Sequence, residues 1–384
     1  MAVPDWIWLV FIFSFGCCIG SFLNVVIFRL PREKSLIRPP SACPACGKRI
    51  SFYDNIPLVS WLVLGRRCRY CKAPISPRYF VIELLTGLVF VGLFVLYFRT
   101  ELRGGVSGFL SGGWFIYVLH LILLAAFIAA SAIDLELWVI PLSICWLVTA
   151  VGFVGSAVGR YVIHPSVIRA YGLLPSASAG TAALAVGAAI GLAMSCALLA
   201  SGLIRRSYES QHAEDSGQEH DEHDEPQFNH RLEILREVGF LLPIILCSAG
   251  AFWITQQSHS LGAWWASFSQ HRVVAGLLGS LWGYLVGCAV VWGTRIFGTL
   301  AFGKEAMGLG DVHLMGAAGA VVGPVPVVVA FFIAPFFGLA WAGFQMFFKK
   351  TRQIPYGPFL SLGVFAVMIL HDVIFSYWIS ITSR

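Results

Sequence analysis

Two aspartates stand where long uncharged runs of the sequence end or begin. Asp134 follows directly on one such run, and Asp311 opens another. Carboxylates are costly at a membrane edge and usually serve a function there. Two of them at one depth could share a proton, so that one acts as an acid and the other as a base toward water. Gly308 and Gly310 precede Asp311 and would allow a tight, non-helical backbone where a substrate chain approaches.

The same two residues allow other interpretations. Asp134 could simply end a helix at the interface, and Asp311 could cap the N-terminus of a helix. A cation- or proton-coupled transporter also places carboxylates in its membrane spans. Spacing alone therefore leaves catalysis, transport and helix ending open.

Four of the ten cysteines form two C-x2-C pairs. The pairs are Cys43 with Cys46 and Cys68 with Cys71. Two such turns can present four thiolates tetrahedrally to zinc. Two disulfides are the alternative, but they require an oxidising compartment. The loop that carries the cysteines, residues 29–78, is too small to bury much core, so a metal would hold it together. The pattern favours structural zinc.

The elements that position these residues follow from composition. Hydrophobic residues make up 58% of the chain and charged residues 12%, which excludes an ordinary soluble protein. Uncharged runs of about 20 residues, enough to cross a bilayer, alternate with short charged clusters. Residues 312–348 are too long for one crossing, and a break is expected at residues 323–326. The predicted fold is an all-α polytopic integral membrane protein of about 9–10 transmembrane helices, with a small cytoplasmic zinc-type loop module built on four cysteines.

Basic residues predict the orientation in the membrane. The loop of residues 29–78 holds 11 of the 26 Lys and Arg residues, so we expect it in the cytoplasm and the N-terminus outside. Alternation of the spans then puts Asp134 and Asp311 at cytoplasmic ends. This topology explains the basic loop, so nucleic-acid binding has no support and the lipid bilayer is the expected partner.

Residues 205–237 form an acidic stretch. Ten of the 20 Asp and Glu residues and four histidines lie in it. Such segments are usually solvated and disordered, and we predict an acidic, His-containing loop. A metal-binding tail is the alternative.

These residues together resemble the bifunctional type IV prepilin peptidases. Several motifs occur in that family's order. They are Gly20–Val25, Arg29–Pro31, Ser41–Gly47, Asp54–Pro57, Ser60–Trp61, Cys68 with Cys71, Ile75–Ser76, Arg78–Tyr79, Glu83–Thr86, Ile133–Asp134, Met307–Asp311 and Ile354–Pro358.

The resemblance implies a GxGD-type aspartic endopeptidase of the cytoplasmic (inner) membrane. It would cleave prepilins and pseudopilins of type IV pili or type II secretion at the cytoplasmic face, after a glycine. The family typically also N-methylates the new N-terminus with S-adenosylmethionine. Asp134 and Asp311 would be catalytic, Gly308 and Gly310 would form the active-site loop, and no residue is assigned to the methyl donor. A transporter, a peptidase without methyl transfer and a membrane scaffold remain alternatives.

The resemblance also suggests domain boundaries. Residues 10–100 would form the N-terminal domain, 113–348 the peptidase membrane domain and 349–384 a C-terminal segment with a span. An insertion from about residue 160 to 272 interrupts the peptidase domain, and 176 residues separate the aspartates, more than is usual for the family. Four crossings between them keep both aspartates on one side. Two further departures are Ala306, where the family usually has Gly, and His313, where it usually has Lys.

Overall fold

The computed structural model of the protein describes residues 5–100, 106, 108–163, 173–204, 230–348 and 355–382. These residues are mostly helical. The only β pairing among them is two isolated bridges, one between Ala42 and Arg49 and the other between Arg67 and Pro74. The predicted all-α fold is confirmed.

Twelve α-helices occur in the described part of the chain. In chain order they are α1 (Asp5–Arg29), α2 (Val59–Val63), α3 (Pro77–Phe98), α4 (Gly113–Leu137), α5 (Leu142–Val162), α6 (Ala179–Ala200), α7 (His230–Gln257), α8 (His259–Ser269), α9 (Arg272–Phe302), α10 (Leu309–Val322), α11 (Pro324–Phe348) and α12 (Gly357–Thr382). Nine of these are long and apolar enough to cross a membrane: α1, α3–α7, α9, α11 and α12. The protein is therefore a multi-pass membrane protein, as its composition predicts.

The expected break after residue 322 is also confirmed. Helix α10 ends at Val322, Gly323 takes a φ of +93°, and Pro324 begins α11. A positive φ favours glycine, and proline fits the first turn of a helix because it needs no N–H donor there. With 14 residues, α10 is about 21 Å long, shorter than the roughly 30 Å hydrocarbon core.

The chain divides into two compact units. The first contains residues 1–151, 162–173 and 329–384. In it α1 packs on α3 and α4, and α12 packs on α4. The crossing of α1 and α3 is close, because a Cβ at Gly20 would lie 2.7 Å from the Glu83 Cα atom. Small residues allow such contacts between helices in a membrane.

The second unit contains residues 152–161 and 174–328. Here α6 pairs with α7, while α9 packs against α10 and α6. Gly283 of α9 and Gly319 of α10 face each other so closely that a Cβ on either would overlap the carbonyl oxygen of the other. This close packing positions α10, which carries Asp311.

The prediction of an acidic loop over residues 205–237 is wrong at its C-terminal end. Helix α7 begins at His230, and the side chains of Glu233 and Glu237 are buried. Both carboxylates accept hydrogen bonds from arginines, Arg236 and Arg295 respectively, which offset the cost of burying their charge. Residues 205–229 lie outside the described residues, and so do three of the four histidines of the stretch.

Candidate functional site

Asp134 lies in the last turn of α4. The helix ends where Trp138 takes a φ of +58° and donates its backbone N–H to the Asp134 carbonyl oxygen at 2.9 Å. The Asp134 side chain is buried, and its Oδ2 atom accepts a hydrogen bond from the Gly357 N–H at 3.1 Å. The carboxylate is therefore held by the first residue of α12 and does more than end a helix.

Gly357 can approach Asp134 because it has no side chain. A Cβ at this position would lie 2.6 Å from the Asp134 Oδ2 atom, well inside van der Waals contact. A chain of hydroxyls supports the same contact: Ser131 donates to Ser361 at 3.0 Å, and Ser361 donates to the Gly357 carbonyl oxygen at 3.0 Å. The sequence singles out the segment that contains Gly357 but does not indicate this role.

Asp311 lies in the first turn of α10 and is buried. The N-cap of this helix is Gly308, which has an extended backbone, so the alternative that Asp311 is the cap is wrong. A carboxylate in the first helical turn interacts favourably with the helix dipole. The expectation of non-helical backbone holds for Gly308 and is wrong for Gly310, because α10 already begins at Leu309.

A buried arginine network fixes the segment just before Asp311. Arg295 of α9 is 2% exposed and donates to Glu237 at 2.9 Å and to Glu305 at 2.5 Å. It also donates to the carbonyl oxygen of Met307. Trp292 donates its indole N–H to the second oxygen of Glu237 at 3.1 Å. One guanidinium thus connects α7, α9 and the loop that leads into α10.

Sequence reasoning missed this network. No motif of the sequence marks Arg295, and Glu237 falls in the stretch that is expected to be a solvated loop. The available signal was an arginine within a long apolar run, because charges inside such runs are usually paired or functional. The acid that would pair with it could not be identified from the sequence.

His313 also lies in α10, two residues after Asp311. Its Nδ1 atom is 3.0 Å from the Tyr284 hydroxyl of α9. A hydrogen-bonding imidazole therefore takes part in the packing of α9 against α10.

The two aspartates belong to different units, Asp134 to the first and Asp311 to the second. Each is buried near the end of a helix that contains few other ionisable groups.

The four predicted cysteines come together in the first unit. The Sγ atoms of Cys43, Cys46, Cys68 and Cys71 all lie within 4.8 Å of one another, and those of Cys43 and Cys71 are 3.8 Å apart. A tetrahedral site with Zn–S bonds of about 2.3 Å has sulfur–sulfur edges of about 3.8 Å. None of the four is in a disulfide. The cluster is compatible with a structural metal ion.

The two C-x2-C turns have the same backbone geometry. In the first, Gly47 donates its N–H to the Cys43 carbonyl oxygen at 2.8 Å; in the second, Lys72 donates to that of Cys68 at 3.0 Å. Gly47 and Lys72 both have positive φ values, +68° and +60°. Matching turns of this kind present their thiols to one centre, which explains why the spacing alone could predict the cluster.

Local hydrogen bonds favour the ionised form of one sulfur in this module, that of Cys68. Backbone N–H groups of Cys71 and Tyr70 lower the pKa of the Cys68 thiol to about 6. The pKa of Cys71 rises to about 11 although the Ala73 N–H donates to it, because desolvation and the neighbouring thiols favour its protonated form. A cation at the centre would stabilise all four thiolates.

Asp54 ties the helical turn before α2 to the second C-x2-C turn. Its two oxygens accept from Arg69 Nε at 2.7 Å and Nη2 at 2.5 Å. These bonds hold the pKa of the Asp54 carboxyl below its usual range. The module is thus braced by an ion pair beside the cysteines.

Two segments of the chain match family models. Residues 14–97 match the bacterial peptidase A24 N-terminal domain, and residues 239–343 match the type IV leader peptidase family. The first segment contains the cysteine cluster, and the second contains Asp311. Asp134 lies between the two.

Curated relatives match over about a third of the chain. A prepilin leader peptidase/N-methyltransferase of Myxococcus xanthus is 44% identical over 135 residues, covering 35% of this chain and 36% of the relative. A type 4 prepilin-like proteins leader peptide-processing enzyme of Escherichia coli is 42% identical over 139 residues, which cover 32% of this chain and 46% of the relative. A prepilin leader peptidase/N-methyltransferase of Aeromonas hydrophila is 37% identical over 160 residues, which cover 35% of this chain and 50% of the relative. The matched regions thus span half or less of these relatives' lengths. No solved structure matches.

Proposed function

Because the chain belongs to the type IV prepilin peptidase family, we propose that it cleaves the leader peptides of prepilins and pseudopilins at the cytoplasmic face of the inner membrane. The observation that carries the proposal is that Asp134 and Asp311 are each buried near the end of an apolar helix. The family match at residues 239–343 includes Asp311.

The proposed mechanism is general acid–base hydrolysis by the two aspartates. One carboxylate takes a proton from water, and the resulting hydroxide attacks the scissile carbonyl carbon. The other, in its protonated form, donates a hydrogen bond and then a proton to the carbonyl oxygen. The tetrahedral intermediate then collapses and its C–N bond breaks, while the carboxyl group that took the proton from water gives it to the leaving amine. The other carboxylate recovers its proton from a hydroxyl of the intermediate. We assign the acid and base roles to Asp134 and Asp311 together and do not divide them between the two.

The orientation rests on charge. The loop between α1 and α3 carries much of the chain's positive charge, which favours a cytoplasmic location. The cysteine cluster in that loop would hold a zinc ion through Cys43, Cys46, Cys68 and Cys71. When bound, the ion supplies four metal–thiolate bonds that hold a small module with little core of its own.

We further propose N-methylation of the new N-terminus with S-adenosylmethionine as the donor. Its support is the match of residues 14–97 to the family's N-terminal domain and the printed names of the Myxococcus and Aeromonas relatives. The pilins themselves and the lipid bilayer are the proposed partners.

Substitution of the aspartates tests the peptidase. In proteoliposomes with a purified prepilin, the wild-type protein should release the leader, whereas Asp134→Asn and Asp311→Asn should reduce release to background because neither amide can transfer the proton. Asp372→Asn, the same change within α12, is the matched control and should cleave normally. Normal cleavage by either active-site variant would refute the pair, and a wild-type protein without cleavage would favour the transporter alternative.

A further inference from the structure

Two buried polar residues lie in the helices on either side of the cysteine loop, and the proposed cleavage mechanism does not use them. Asn24 lies five residues before the end of α1, and Glu83 lies six residues into α3. Asn24 is 2% exposed and Glu83 is 8% exposed. Each residue lies about 9 Å or less from the nearer end of its helix, because an α-helix rises 1.5 Å per residue.

Glu83 is a buried carboxylate without a counter-ion among the described residues. Its Oε2 atom accepts the Leu58 N–H at 2.8 Å. Leu58 donates from a tight γ-turn, with φ +61° and ψ −51°, in which the Val59 N–H donates to the Pro57 carbonyl oxygen at 2.6 Å. Turns of this kind are rare and strained, so the loop is held in a costly shape that turns an N–H toward Glu83.

Asn24 has one group unsatisfied and lies one helical turn along α1 from Gly20, which packs against Glu83. Its Nδ2 atom donates to the carbonyl oxygens of Tyr79 at 3.1 Å and Gly20 at 3.3 Å, which joins α1 to α3. Its Oδ1 atom is buried and has no donor within the part of the chain that the structure describes. Gly20 brings this turn of α1 against the Glu83 backbone, as described above.

Both groups lack the same kind of partner. A carboxylate buried without a counter-ion and a carbonyl oxygen buried without a donor are each costly. A primary ammonium group supplies a positive charge and three N–H donors, which would satisfy both. A ligand that offers only a neutral acceptor would satisfy neither the Glu83 carboxylate nor the Asn24 oxygen.

We propose that Glu83 and Asn24 bind a primary ammonium group during methyl transfer; this inference rests on the proposed function. Two such groups take part in that reaction: the new N-terminus of the cut pilin and the amino-acid end of S-adenosylmethionine. The shallow depth of the pair suits a pilin N-terminus freshly cut at the membrane edge.

With the pilin N-terminus as the substrate, the reaction begins from its ammonium group. The ammonium gives one proton to water, and the pair holds the resulting amine through its remaining N–H groups. The amine nitrogen then forms a bond to the methyl carbon of the sulfonium donor as the carbon–sulfur bond breaks and its electrons stay on sulfur. The products are a methylated, positively charged amine and a neutral thioether.

Methyl-transfer kinetics on two variants test the proposal. Glu83→Gln keeps the shape and the acceptor oxygen but removes the charge, and Asn24→Leu removes the unsatisfied oxygen. The assay uses radiolabelled S-adenosylmethionine and a pre-cut pilin peptide. We expect the KM for one of these two substrates to rise at least tenfold in both variants, while leader cleavage is unchanged.

A second measurement identifies the source of the ammonium. If it is the pilin N-terminus, the wild-type protein should bind the free-amine peptide at least tenfold more tightly than its N-acetylated form, and Glu83→Gln should lose this preference. If it is the methyl donor, the KM for S-adenosylmethionine rises instead. Glu33→Gln, an exposed acid just beyond α1, is the control and should behave like the wild type.

Wild-type KM values for both substrates in both variants would overturn the proposal. So would a parallel loss of cleavage, methyl transfer and thermal stability in Glu83→Gln, because that result would assign the pair to helix packing. A wild-type protein that cleaves but transfers no methyl group would instead refute the proposed methyl transfer itself.

Discussion

Gly357 is the residue on which the position of the Asp134 carboxylate depends. It donates to that carboxylate and leaves no space for a side chain next to it. Such a position is sensitive to a single methyl group, because displacement of a catalytic group by about 1 Å can cost roughly a hundredfold in rate.

We therefore expect Gly357→Ala to lower the rate of leader cleavage by about ten- to a hundredfold. Helix α12 should persist, because alanine has the higher helix propensity. Gly343→Ala in α11, where a new Cβ meets nothing within 4 Å, is the matched control. Cleavage rates in proteoliposomes measure the effect, and an unchanged rate in Gly357→Ala would mean that the Gly357 contact does not position Asp134.

At the scale of elements, α9 carries the arginine that holds the loop before α10, the helix in which Asp311 lies. Arg295 binds Glu237 from α7 as well as Glu305 and the Met307 carbonyl oxygen from the following loop. Lysine has the same charge but lacks the planar fork, so a single ammonium cannot replace all three contacts.

Arg295→Lys should lower kcat for leader cleavage at least tenfold, because the loop that leads into α10 is displaced. It should change KM less than twofold, because the residues that bind the substrate are unchanged. Glu237→Gln should act in the same direction. Arg272→Gln removes a positive charge from the exposed, opposite end of α9 and should have no effect. Steady-state kinetics on a prepilin decide the matter; a wild-type kcat in Arg295→Lys would show that the network does not position the loop.

The cysteine module is a second element whose stability can be tested alone. We expect one zinc ion per chain, and Cys68→Ser should lose it because three thiolates leave the site open. Cys18→Ser, at an exposed cysteine within α1, should retain the ion. Elemental analysis of the purified proteins measures this. A wild-type protein without zinc but with four thiols open to alkylation would contradict the metal site.

At the scale of the whole molecule, the proposed activities draw on different groups of residues. The proposed cleavage uses Asp134 and Asp311, whereas the cysteine module, Asn24 and Glu83 lie in the segment that matches the N-terminal family model. The proton transfers of the aspartates are not needed to move a methyl group onto an amine that is already free.

Asp134→Asn and Asp311→Asn should therefore methylate a pre-cut pilin at a rate within about twofold of wild type. Mass spectrometry of the pilin N-terminus measures this, with uncut prepilin in the same reaction as the internal control for lost cleavage. If both activities disappear together in variants that remain inserted and folded, the two activities are not separable.

Much of this architecture is determined by the sequence alone. The number of spans, the break at Gly323 and the cysteine cluster follow from run length, glycine–proline placement and C-x2-C spacing. Each of these is a local property, because a bilayer requires apolar length within one segment and a C-x2-C turn closes over a few residues. Both aspartates could likewise be singled out, since charges are rare in such runs.

Only the tertiary structure decided which residues meet. The Gly357 N–H reaches Asp134 across 223 positions of the chain, and Arg295 finds Glu237 across 58. The Leu58 N–H reaches Glu83 across 25. Hydrophobic periodicity specifies that a helix forms but not which neighbour it packs on, and hydrogen bonds between helices depend on that packing. The spacing of charges therefore indicated where function could lie, and the packing of the helices decided which groups hold each charge in place.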